Sequence, residues 1–435
     1  MSTTSELKKA LTAANQPLLQ PQNDLEPVIE EELLKLQPLA QLMSVLQAEG
    51  LTHEYRLKTS HPAAWFEGEL TQGTEGSGTY DRKTVQLKIQ RIWGKVSGFA
   101  QTVDEKFINA LAEELSGSVQ GMSDLFEFGA LFGCSNDIGF SGDRYQYSGI
   151  LPRLFAFAPG NIIDAGGAKV TLDMLDQAVA KAHKHRQTRN DPSMWLMGLR
   201  MKQVVDGLQT RYNIPLTGVT LNDGKIEMPA YYRRPIYETD SVTPEDNSPA
   251  CTGAAGGDDE GELAAETYKY RIAKVTQYGE QVAGTASADV EADATHLHAD
   301  LSWTGAADAK NYMIFRKAGS GAYQLLDIIP ALTYDADGKV NGKVETYTDL
   351  GNITPKAIEP LESGEEQIVL ANINPNRGAA FMGKVDDMGR QLDRLVSYVE
   401  LARTGDFYSY FLKSYLTLRF KFPNLMSVVR HVKTS

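Results

Sequence analysis

The part of this sequence closest to a ligand-binding motif is a glycine-rich stretch that ends in a lysine. Residues 73–84 read GTEGSGTYDRKT, and glycine-rich loops of related composition bind nucleotide phosphates. In those loops the lysine directly follows a glycine, whereas Lys83 lies five residues after Gly78. The stretch also does not lie between a strand and the start of a helix, the arrangement that points backbone N–H groups at a phosphate. The spacing therefore indicates a flexible loop tip and disfavours a nucleotide site.

Histidine and cysteine side chains give no stronger sign of chemistry. His296 and His298 are predicted to project from one face of a strand, but no third metal ligand lies near them in the sequence. We expect Cys134 to be a buried thiol and Cys251 to be exposed in a flexible stretch. Two distant cysteines exclude a disulfide framework and a four-thiolate metal site. No serine lies in a nucleophile elbow. The sequence therefore predicts a protein that is not an enzyme and uses no cofactor or metal.

Charge is the most informative property of the composition. The chain has 43 basic and 56 acidic residues, a net charge of −13, which disfavours general binding to phosphate backbones. Residues 238–266 carry nine acids and no base. Residues 82–95 carry no acid but five basic residues, Arg82, Lys83, Lys88, Arg91 and Lys95. Blocks of opposite sign suit contact between copies of one chain, although two solvated surfaces that never meet give the same pattern.

Length and hydropathy set the class of protein. The 435 residues are enough for two to three domains. No apolar run approaches the ~20 residues of a membrane-spanning helix, and the first residues do not resemble a secretory signal. We therefore expect a protein without a membrane partner. The two distant cysteines indicate a reducing compartment.

The elements that must position the basic residues follow from hydrophobic periodicity. Residues 1–50 are predicted to be an N-terminal arm, because prolines interrupt them, and residues 51–98 a long β-hairpin with a glycine-rich tip. A capping box at Thr102 and Glu105 begins a long amphipathic helix that is expected to end near Gly129 and Gly133.

Further along the chain, helical and strand patterns alternate. We expect a helix from Thr171, a strand over Met194 to Met197 and a helix from Met201 to Tyr212. Residues 243–264 have the composition of a linker or exposed loop, and all-strand patterns follow up to residue 352. Helical character is predicted from about Val385 to Val399, before a strand from Tyr408 to Phe422. The fold class is therefore α+β.

This order of elements resembles the major capsid protein of tailed bacteriophages, which has the Hong Kong 97-type capsid fold. The resemblance covers most of residues 25–240 and 360–435. Residues 65–99 and 102–115 look like the family's extended loop and spine helix, residues 170–208 like its axial domain, and residues 407–435 like the last strands of its peripheral domain.

One region departs from the minimal family pattern. Residues 265–352 resemble an immunoglobulin-like or fibronectin type III module in permuted order: residues 267–284 look like its last two strands, and residues 301–326 and 345–351 like earlier ones. A module with neighbouring termini can be inserted into a surface loop. The resemblance implies an insertion that decorates the exterior.

The resemblance divides the chain into seven parts. They are the arm (1–50), the extended loop (51–98), the spine helix of the peripheral domain (99–150), the axial domain (151–242), a linker (243–264), the inserted immunoglobulin-like domain (265–352) and the remaining axial and peripheral elements (353–435).

The resemblance also implies a function and partners. The chain is expected to assemble with itself into hexamers and pentamers of an icosahedral head. That head would meet portal, scaffolding and cement proteins and enclose double-stranded DNA without reading its sequence. The expected location is the virion, assembled in the host cytoplasm. Arg82, Lys83, Lys88, Arg91 and Lys95 are expected to meet acidic surface on the adjacent subunit. Some family members join subunits by a lysine–asparagine bond, but no partner asparagine can be assigned to Lys83 or Lys88.

Two other functions remain open. A cellular nanocompartment of the encapsulin type has the same fold and encloses enzymes. A glycan-binding surface protein is suggested by the immunoglobulin-like module alone. Large icosahedra, small uniform cages or no particles would distinguish the three.

Overall fold

The computed structural model describes the ordered elements of most of the chain. The described residues are 39–58, 60–66, 75–99, 110–183, 193–212, 219–221, 226–228, 230–231, 234–256, 261–293, 295–384, 390–391, 396–402 and 405–434.

Five α-helices lie within the described ranges. They are α1 (Leu39–Leu42), α2 (Ala110–Leu131), α3 (Ile150–Phe157), α4 (Leu172–His183) and α5 (Leu199–Arg211). Short 3-10 helices are formed by Pro159–Asn161, Asp240–Val242 and Pro423–Leu425.

The described strands fall into an N-terminal, a middle and a C-terminal group. The first group is β1 (Val45–Gln47), β2 (Thr52–Lys58), β3 (Tyr80–Gln86), β4 (Lys88–Ser97), β5 (Ile162–Asp164), β6 (Ser193–Met197), β7 (Val219–Leu221), β8 (Ile226–Met228), β9 (Ala230–Tyr231) and β10 (Arg234–Glu238). The second is β11 (Thr252–Ala255), β12 (Thr267–Thr276), β13 (Gly279–Glu280), β14 (Val290–Glu291), β15 (Ala299–Ser302), β16 (Ala309–Ala318), β17 (Gln324–Pro330), β18 (Leu332–Tyr334), β19 (Val340–Lys343) and β20 (Thr346–Asp349). The third is β21 (Glu365–Asn372), β22 (Ala379–Gly383), β23 (Arg390–Gln391), β24 (Ser397–Glu400), β25 (Phe407–Phe420) and β26 (Ser427–Lys433).

Four sheets organise these strands. The first sheet has the order β1-β22-β25-β24-β23, with β4 also paired to β25, and the second sheet has the order β5-β26-β21-β6-β10-β9. The large sheet is β13-β12-β16-β17 with β14 beside β12, and the small sheet is β11-β15-β20. The pairs β2–β3, β7–β8 and β18–β19 form separate two-stranded ribbons. The result is the mixed α+β architecture that the sequence predicts.

The long helix α2 is confirmed, and it ends where the glycines predict. After Leu131, the backbone N–H groups of Phe132 and Gly133 both donate to the carbonyl oxygen of Phe128, at 2.7 and 3.0 Å, and close the helix. Near this end the fully buried carboxylate of Glu127 accepts hydrogen bonds from the Leu39 N–H and the Thr239 hydroxyl, each at 2.8 Å. The capping box at Thr102 and Glu105 lies outside the described residues.

The second sheet is buried on both faces, which explains its continuous apolar strands. Trp195 packs with α4 and α5 on one face, while Met194 and Leu196 join the main core on the other. The predicted succession of helix, strand and helix is confirmed as α4, β6 and α5. At the start of α4, the Met174 N–H donates to the hydroxyl of Thr171 at 3.3 Å.

The large and small sheets share a hydrophobic core, and we call residues 251–353 the two-sheet region. Tyr270 and Ile314 of the large sheet face this core. Alternate residues on the other face, such as Val275 and Phe315, join the main core together with Phe132. The large sheet is therefore covered on both faces and attaches the two-sheet region to the body of the protein.

The expectation that Cys251 is exposed is wrong. The side chain is 3% exposed and packs in the core of the two-sheet region. The next residues, Thr252–Ala255, pair antiparallel with β15. These four residues have the composition of a loop but form an edge strand of the small sheet. Burial raises the pKa of Cys251 to about 12. Cys134 is buried, as predicted.

The helix predicted from about Val385 to Val399 is also wrong where the structure describes it. Ser397–Glu400 form β24, which pairs antiparallel with β25, and Arg390–Gln391 form β23. Val396 lies in the core and Tyr398 packs beside Tyr410, so the apolar residues alternate across a sheet. Pairing with the long neighbouring strand overrides a short apolar pattern that fits either structure.

A buried carboxylate in the large sheet should make stability depend on pH. Asp327 of β17 is fully buried, and one oxygen accepts from the N–H groups of Ser141 and Ile328, each at 2.8 Å. Burial raises the pKa of Asp327, and these hydrogen bonds offset only part of that effect. The stability linked to its protonated form is therefore present at acid pH and is lost as the pH rises through the raised pKa.

We expect Asp327→Asn to remove this dependence. The amide oxygen can keep accepting from Ser141 and Ile328 without the cost of a buried charge. The difference in melting temperature, variant minus wild type, should be more positive at pH 7 than at pH 4, because burial raises the pKa of Asp327 and a larger fraction of the wild-type side chain is protonated at the lower pH. Thermal unfolding at both pH values measures it, and a difference that grows toward acid pH would contradict the prediction.

Candidate assembly surface

A hairpin is present as β2 and β3, but it is shorter than the predicted residues 51–98, because β4 pairs with β25 of the first sheet. The two ends of the hairpin are in different environments. The strands pair from Thr52 opposite Gln86 to Lys58 opposite Tyr80. Near the base, Tyr55 is buried and its hydroxyl donates to the carbonyl oxygen of Phe420 at 3.0 Å. Beyond the distal end, Trp65 is 60% exposed and Phe66 is fully exposed. The hairpin is thus anchored at its base and presents aromatic side chains to solvent at its far end.

The first sheet has one face covered by α2. On this inner face Ile92 packs close to Gly121 of α2, and the hydroxyls of Tyr410 and Ser118 are 2.9 Å apart. Because side chains alternate along a strand, the residues between these inward positions lie on the opposite face, which we call the outer face. From β4 the outer face receives Ile89, Arg91, Trp93 and Lys95.

Strand register aligns aromatic residues across the outer face. Phe411 lies opposite Trp93 on one side and opposite Val399 on the other. The rings of Trp93 and Phe411 stack with centroids 5.8 Å apart. Trp93 remains 61% exposed and Ile89 58% exposed. A surface with large apolar side chains this exposed is typical of a contact site for another molecule.

Basic residues lie among these aromatic rings. The Arg91 guanidinium carbon is 5.4 Å from the Phe411 ring centroid, and the Lys95 Nζ is 4.1 Å from that of Phe407. These are cation–π distances. The outward positions of β4, β24 and β25 carry no acidic residue. The outer face is therefore positively charged and aromatic in a chain whose net charge is negative.

The other end of the outer face is covered by the chain itself. Met382 of β22 is 2% exposed and packs with Leu87 and Ala48, beside Tyr415. The open part is consequently limited to the region around Trp93 and Phe411.

The five predicted contact residues fall into two groups. Arg82 pairs with Glu54 across the hairpin, the Lys83 Nζ lies 3.0 Å from an Asp81 carboxylate oxygen, and the Lys88 Nζ donates to the Arg144 carbonyl oxygen at 2.6 Å. These three side chains have partners within their own chain. Arg91 and Lys95 instead lie on the outer face against aromatic rings.

The aromatic half of this surface depends on strand pairing and is not predicted from the sequence. Phe411 meets Trp93 only because β25 pairs with β4, more than 300 residues away in the chain. One signal was available: both alternating sets of β4, with Ile89 and Trp93 on one face and Ile92 and Val96 on the other, contain large apolar residues. A strand of this kind is covered on both faces, by its own chain or by another molecule.

Gly94→Ala should disturb the contact between the first sheet and α2. A Cβ at Gly94 would lie 2.2 Å from the nearest ring atom of Tyr410, so the ring must leave its position beside Ser118. We expect a loss of about 1–3 kcal/mol in the free energy of unfolding, measured by urea denaturation. Gly117→Ala on α2 is the control, because its Cβ meets no atom within 4 Å. That change should be neutral or stabilise by up to about 1 kcal/mol.

The prediction that His296 and His298 project from one face of a strand is wrong, because both residues precede β15. His296 interacts with Asp293, at 2.9 Å, and the Nε2 of His298 lies 3.7 Å from an Asp300 oxygen. Within the described ranges, His, Cys, Asp and Glu side chains form no group of three that could hold a metal ion. No helix in the described part of the chain is both long and apolar enough to span a bilayer.

A small cleft of about 210 Å³ lies between the second sheet and the two-sheet region. Asp164 and His431 form one wall, with an Oδ1–Nδ1 distance of 2.7 Å, and Tyr323 and Glu359 contribute to the rest. Burial raises the pKa of Asp164, but hydrogen bonds from Gly166 and His431 outweigh this effect and leave the pKa below its usual range. The His431 Nε2 faces the Glu359 carbonyl oxygen at 3.2 Å, so both ring nitrogens have partners that hold the cleft wall together.

No protein-family model matches the sequence. No curated protein matches it either.

Solved structures do resemble it. The holo-SrpI encapsulin complex from Synechococcus elongatus is similar over 95% of this chain and 93% of that one, with a TM-score of 0.52 and 12% identity. A structure of Microbacterium phage Oxtober96 is similar over 96% of this chain and 98% of the phage chain, with a TM-score of 0.48 and 12% identity. The capsid of an empty GTA particle covers 97% and 98%, with a TM-score of 0.48 and 10% identity. The likeness to the encapsulin, which spans nearly the whole of both chains, shows that this chain has the Hong Kong 97-type fold of capsid shells.

Proposed function

We propose that this chain is the shell subunit of a closed icosahedral particle, and specifically the major capsid protein of a tailed-phage head. The observation that carries the proposal is the distribution of exposed aromatic residues in a protein with a shell fold. Trp65 and Phe66 on the hairpin and Trp93 on the outer face are all more than half exposed in the single chain. Contacts with neighbouring copies would bury them.

Closed rings of five and six subunits require two different surfaces on each copy, because the contacts repeat head to tail. The projecting hairpin supplies one surface and the outer face supplies a second. In hexamers and pentamers, the basic residues Arg82, Lys83, Lys88, Arg91 and Lys95 would face acidic surface on the adjacent subunit. Arg91 and Lys95 are the members of this set that lie on the open face.

The cargo assigned by the proposal is double-stranded DNA. A net charge of −13 suits a wall that does not bind a polyanion tightly as it is packed. In the virion, the shell would also meet portal, scaffolding and cement proteins.

The two-sheet region is proposed to be an inserted immunoglobulin-like or fibronectin type III-like domain. Two antiparallel sheets with a shared core support this assignment. Because the large sheet packs against the body, the small sheet would face away from it and decorate the exterior of the shell. A density map of the particle with the small sheet on the inner surface would overturn this part of the proposal.

An encapsulin-type nanocompartment is the second candidate. The likeness to the Synechococcus encapsulin, with the TM-score of 0.52, favours it. The two candidates share the shell and differ in what it encloses.

Electron microscopy of negatively stained full-length protein tests both candidates. We expect closed particles. Large icosahedra that contain DNA when isolated from the producing cells support the phage head, and small uniform cages that contain enzymes support the nanocompartment. A protein that remains monomeric under all assembly conditions contradicts both and leaves the glycan-binding function.

A further inference from the structure

The open part of the outer face matches one segment of this chain in charge and in apolar content. We call this part the cationic face and define it by Ile89, Arg91, Trp93, Lys95, Val399, Phe407 and Phe411. Its partner must supply carboxylates for Arg91 and Lys95 and apolar side chains for Trp93 and Phe411. A purely acidic surface would satisfy only the first requirement.

Residues 24–36 of the N-terminal arm satisfy both requirements. Their sequence is DLEPVIEEELLKL, with five acidic residues, one lysine and six Leu, Ile or Val residues. Within the acidic block of residues 238–266, the densest run of acids, residues 258–262, reads DDEGE and has no apolar side chain. Charge complementarity and the exposed aromatic rings therefore favour the arm over the acidic loop.

The position of Leu39 indicates which copy provides the arm. Leu39 is fully buried, and its N–H donates to the Glu127 carboxylate of α2 at 2.8 Å. Helix α2 covers the inner face of the first sheet, so the 38 preceding residues join the described chain on the side opposite the cationic face. An arm from the same copy must pass around an edge of the sheet, whereas an arm from a neighbouring copy need not.

We propose that the cationic face binds residues 24–36 of a second copy of this chain. The inference rests on the proposed shell function and adds a named pair of contact surfaces to it. Carboxylates of the arm pair with Arg91 and Lys95, and its leucines and isoleucine cover Trp93, Phe411 and Ile89. The contact is head to tail, because the arm and the face are different surfaces of the same chain.

A charge-reversal experiment on the full-length protein tests the pairing. Arg91→Glu with Lys95→Glu should raise the protein concentration needed for particle formation about tenfold or more, because like charges then oppose each other. Adding Glu30→Lys and Glu31→Lys to the same chain should restore that concentration to within about threefold of the wild-type value. Light scattering and sedimentation measure the assembly, and circular dichroism shows that each variant is folded.

The matched control reverses two charges that already have partners in the chain. Arg82→Glu with Lys83→Glu alters pairs with Glu54 and Asp81, so the arm changes should not rescue it. Normal assembly of the Arg91 and Lys95 variant, or failure of the arm changes to rescue it, would overturn the inference while leaving the shell function intact. Failure of the wild-type protein to assemble would instead contradict the proposed function and, with it, this inference.

Cross-linking shows whether the bound arm belongs to the same copy of the chain or to a neighbouring copy. Val28→Cys combined with Val399→Cys places one thiol on the arm and one on the cationic face, while the native Cys134 and Cys251 are at most 3% exposed. A short bis-maleimide should join the subunits into dimers and longer ladders on a denaturing gel, and each single variant should give none. A monomer linked within itself, or no cross-link, would contradict the binding of a neighbour's arm.

Discussion

Arg430→Met is expected to lower the free energy of unfolding by about 3–5 kcal/mol, because it leaves a buried carboxylate without its cation. Arg430 lies on β26 of the second sheet and Glu280 on β13 of the two-sheet region. Their side chains are 1% and 0% exposed, and two parallel hydrogen bonds of 2.8 Å join them. Arg430 also donates to Gln367 and to the Glu359 carbonyl oxygen.

The double variant Arg430→Met, Glu280→Leu removes both charges. It therefore separates the cost of leaving one buried charge unpaired from the contribution of the ion pair to the free energy of unfolding. Replacing both ions by apolar side chains of similar volume is often neutral, so most of the lost stability should return. Urea denaturation of dissociated subunits measures all three proteins. Lys269→Met is the control, because its pair with Asp289 is 44% and 55% exposed and should contribute no more than about 1 kcal/mol. Equal losses from the single and double variants would contradict this account.

Gly279→Ala is expected to cost about 3 kcal/mol or more, from two effects at one position. The backbone of Gly279 has φ = +107°, a conformation that residues with a Cβ rarely adopt. An added Cβ would lie 1.9 Å from the carbonyl oxygen of Ser241, a backbone atom that cannot move alone. The turn between β12 and β13, which leads into Glu280, would have to shift as a whole.

Gly319→Ala is the matched control for this prediction. Its φ is +52°, but its Cβ would meet no atom within 4 Å. This variant should lose only the backbone contribution, about 1–2 kcal/mol. Melting temperatures of both variants, with circular dichroism to show that they fold, provide the comparison. A loss at Gly279 no larger than that at Gly319 would mean that the contact with Ser241 is unimportant.

Elements with a strong period of their own could be predicted from the sequence. The helix that ends at Leu131 has seven apolar residues at helical spacing and two glycines at its end, and α4, β6 and α5 have equally clear patterns. The region after Val385 failed because its apolar residues fit a helix, while the long strand β25 offers a hydrogen-bonded edge that the local sequence does not reveal.

The basic half of the candidate surface could also be predicted, because it is a property of neighbouring residues in the sequence. Arg82 to Lys95 stand out because five bases occur without an acid, a property of adjacent residues. Their division into paired and open members depends on strand pairing. Lys88 reaches the loop at Arg144, and Trp93 meets Phe411, so contacts remote in sequence decide which bases are available to a partner.

Because both faces of the large sheet are buried, the two-sheet region cannot be deleted without exposing part of the main core. Val275 and Phe315 form part of the lining of the main core, in contact with a cluster that includes Phe132 and Phe140. Deleting residues 251–353 would therefore expose apolar core residues of the remaining protein to solvent. The truncated protein should aggregate in the cell. Engineers who want to display a foreign peptide should splice it into the turn at Gly319–Gly321, where an added Cβ at Gly319 meets nothing within 4 Å.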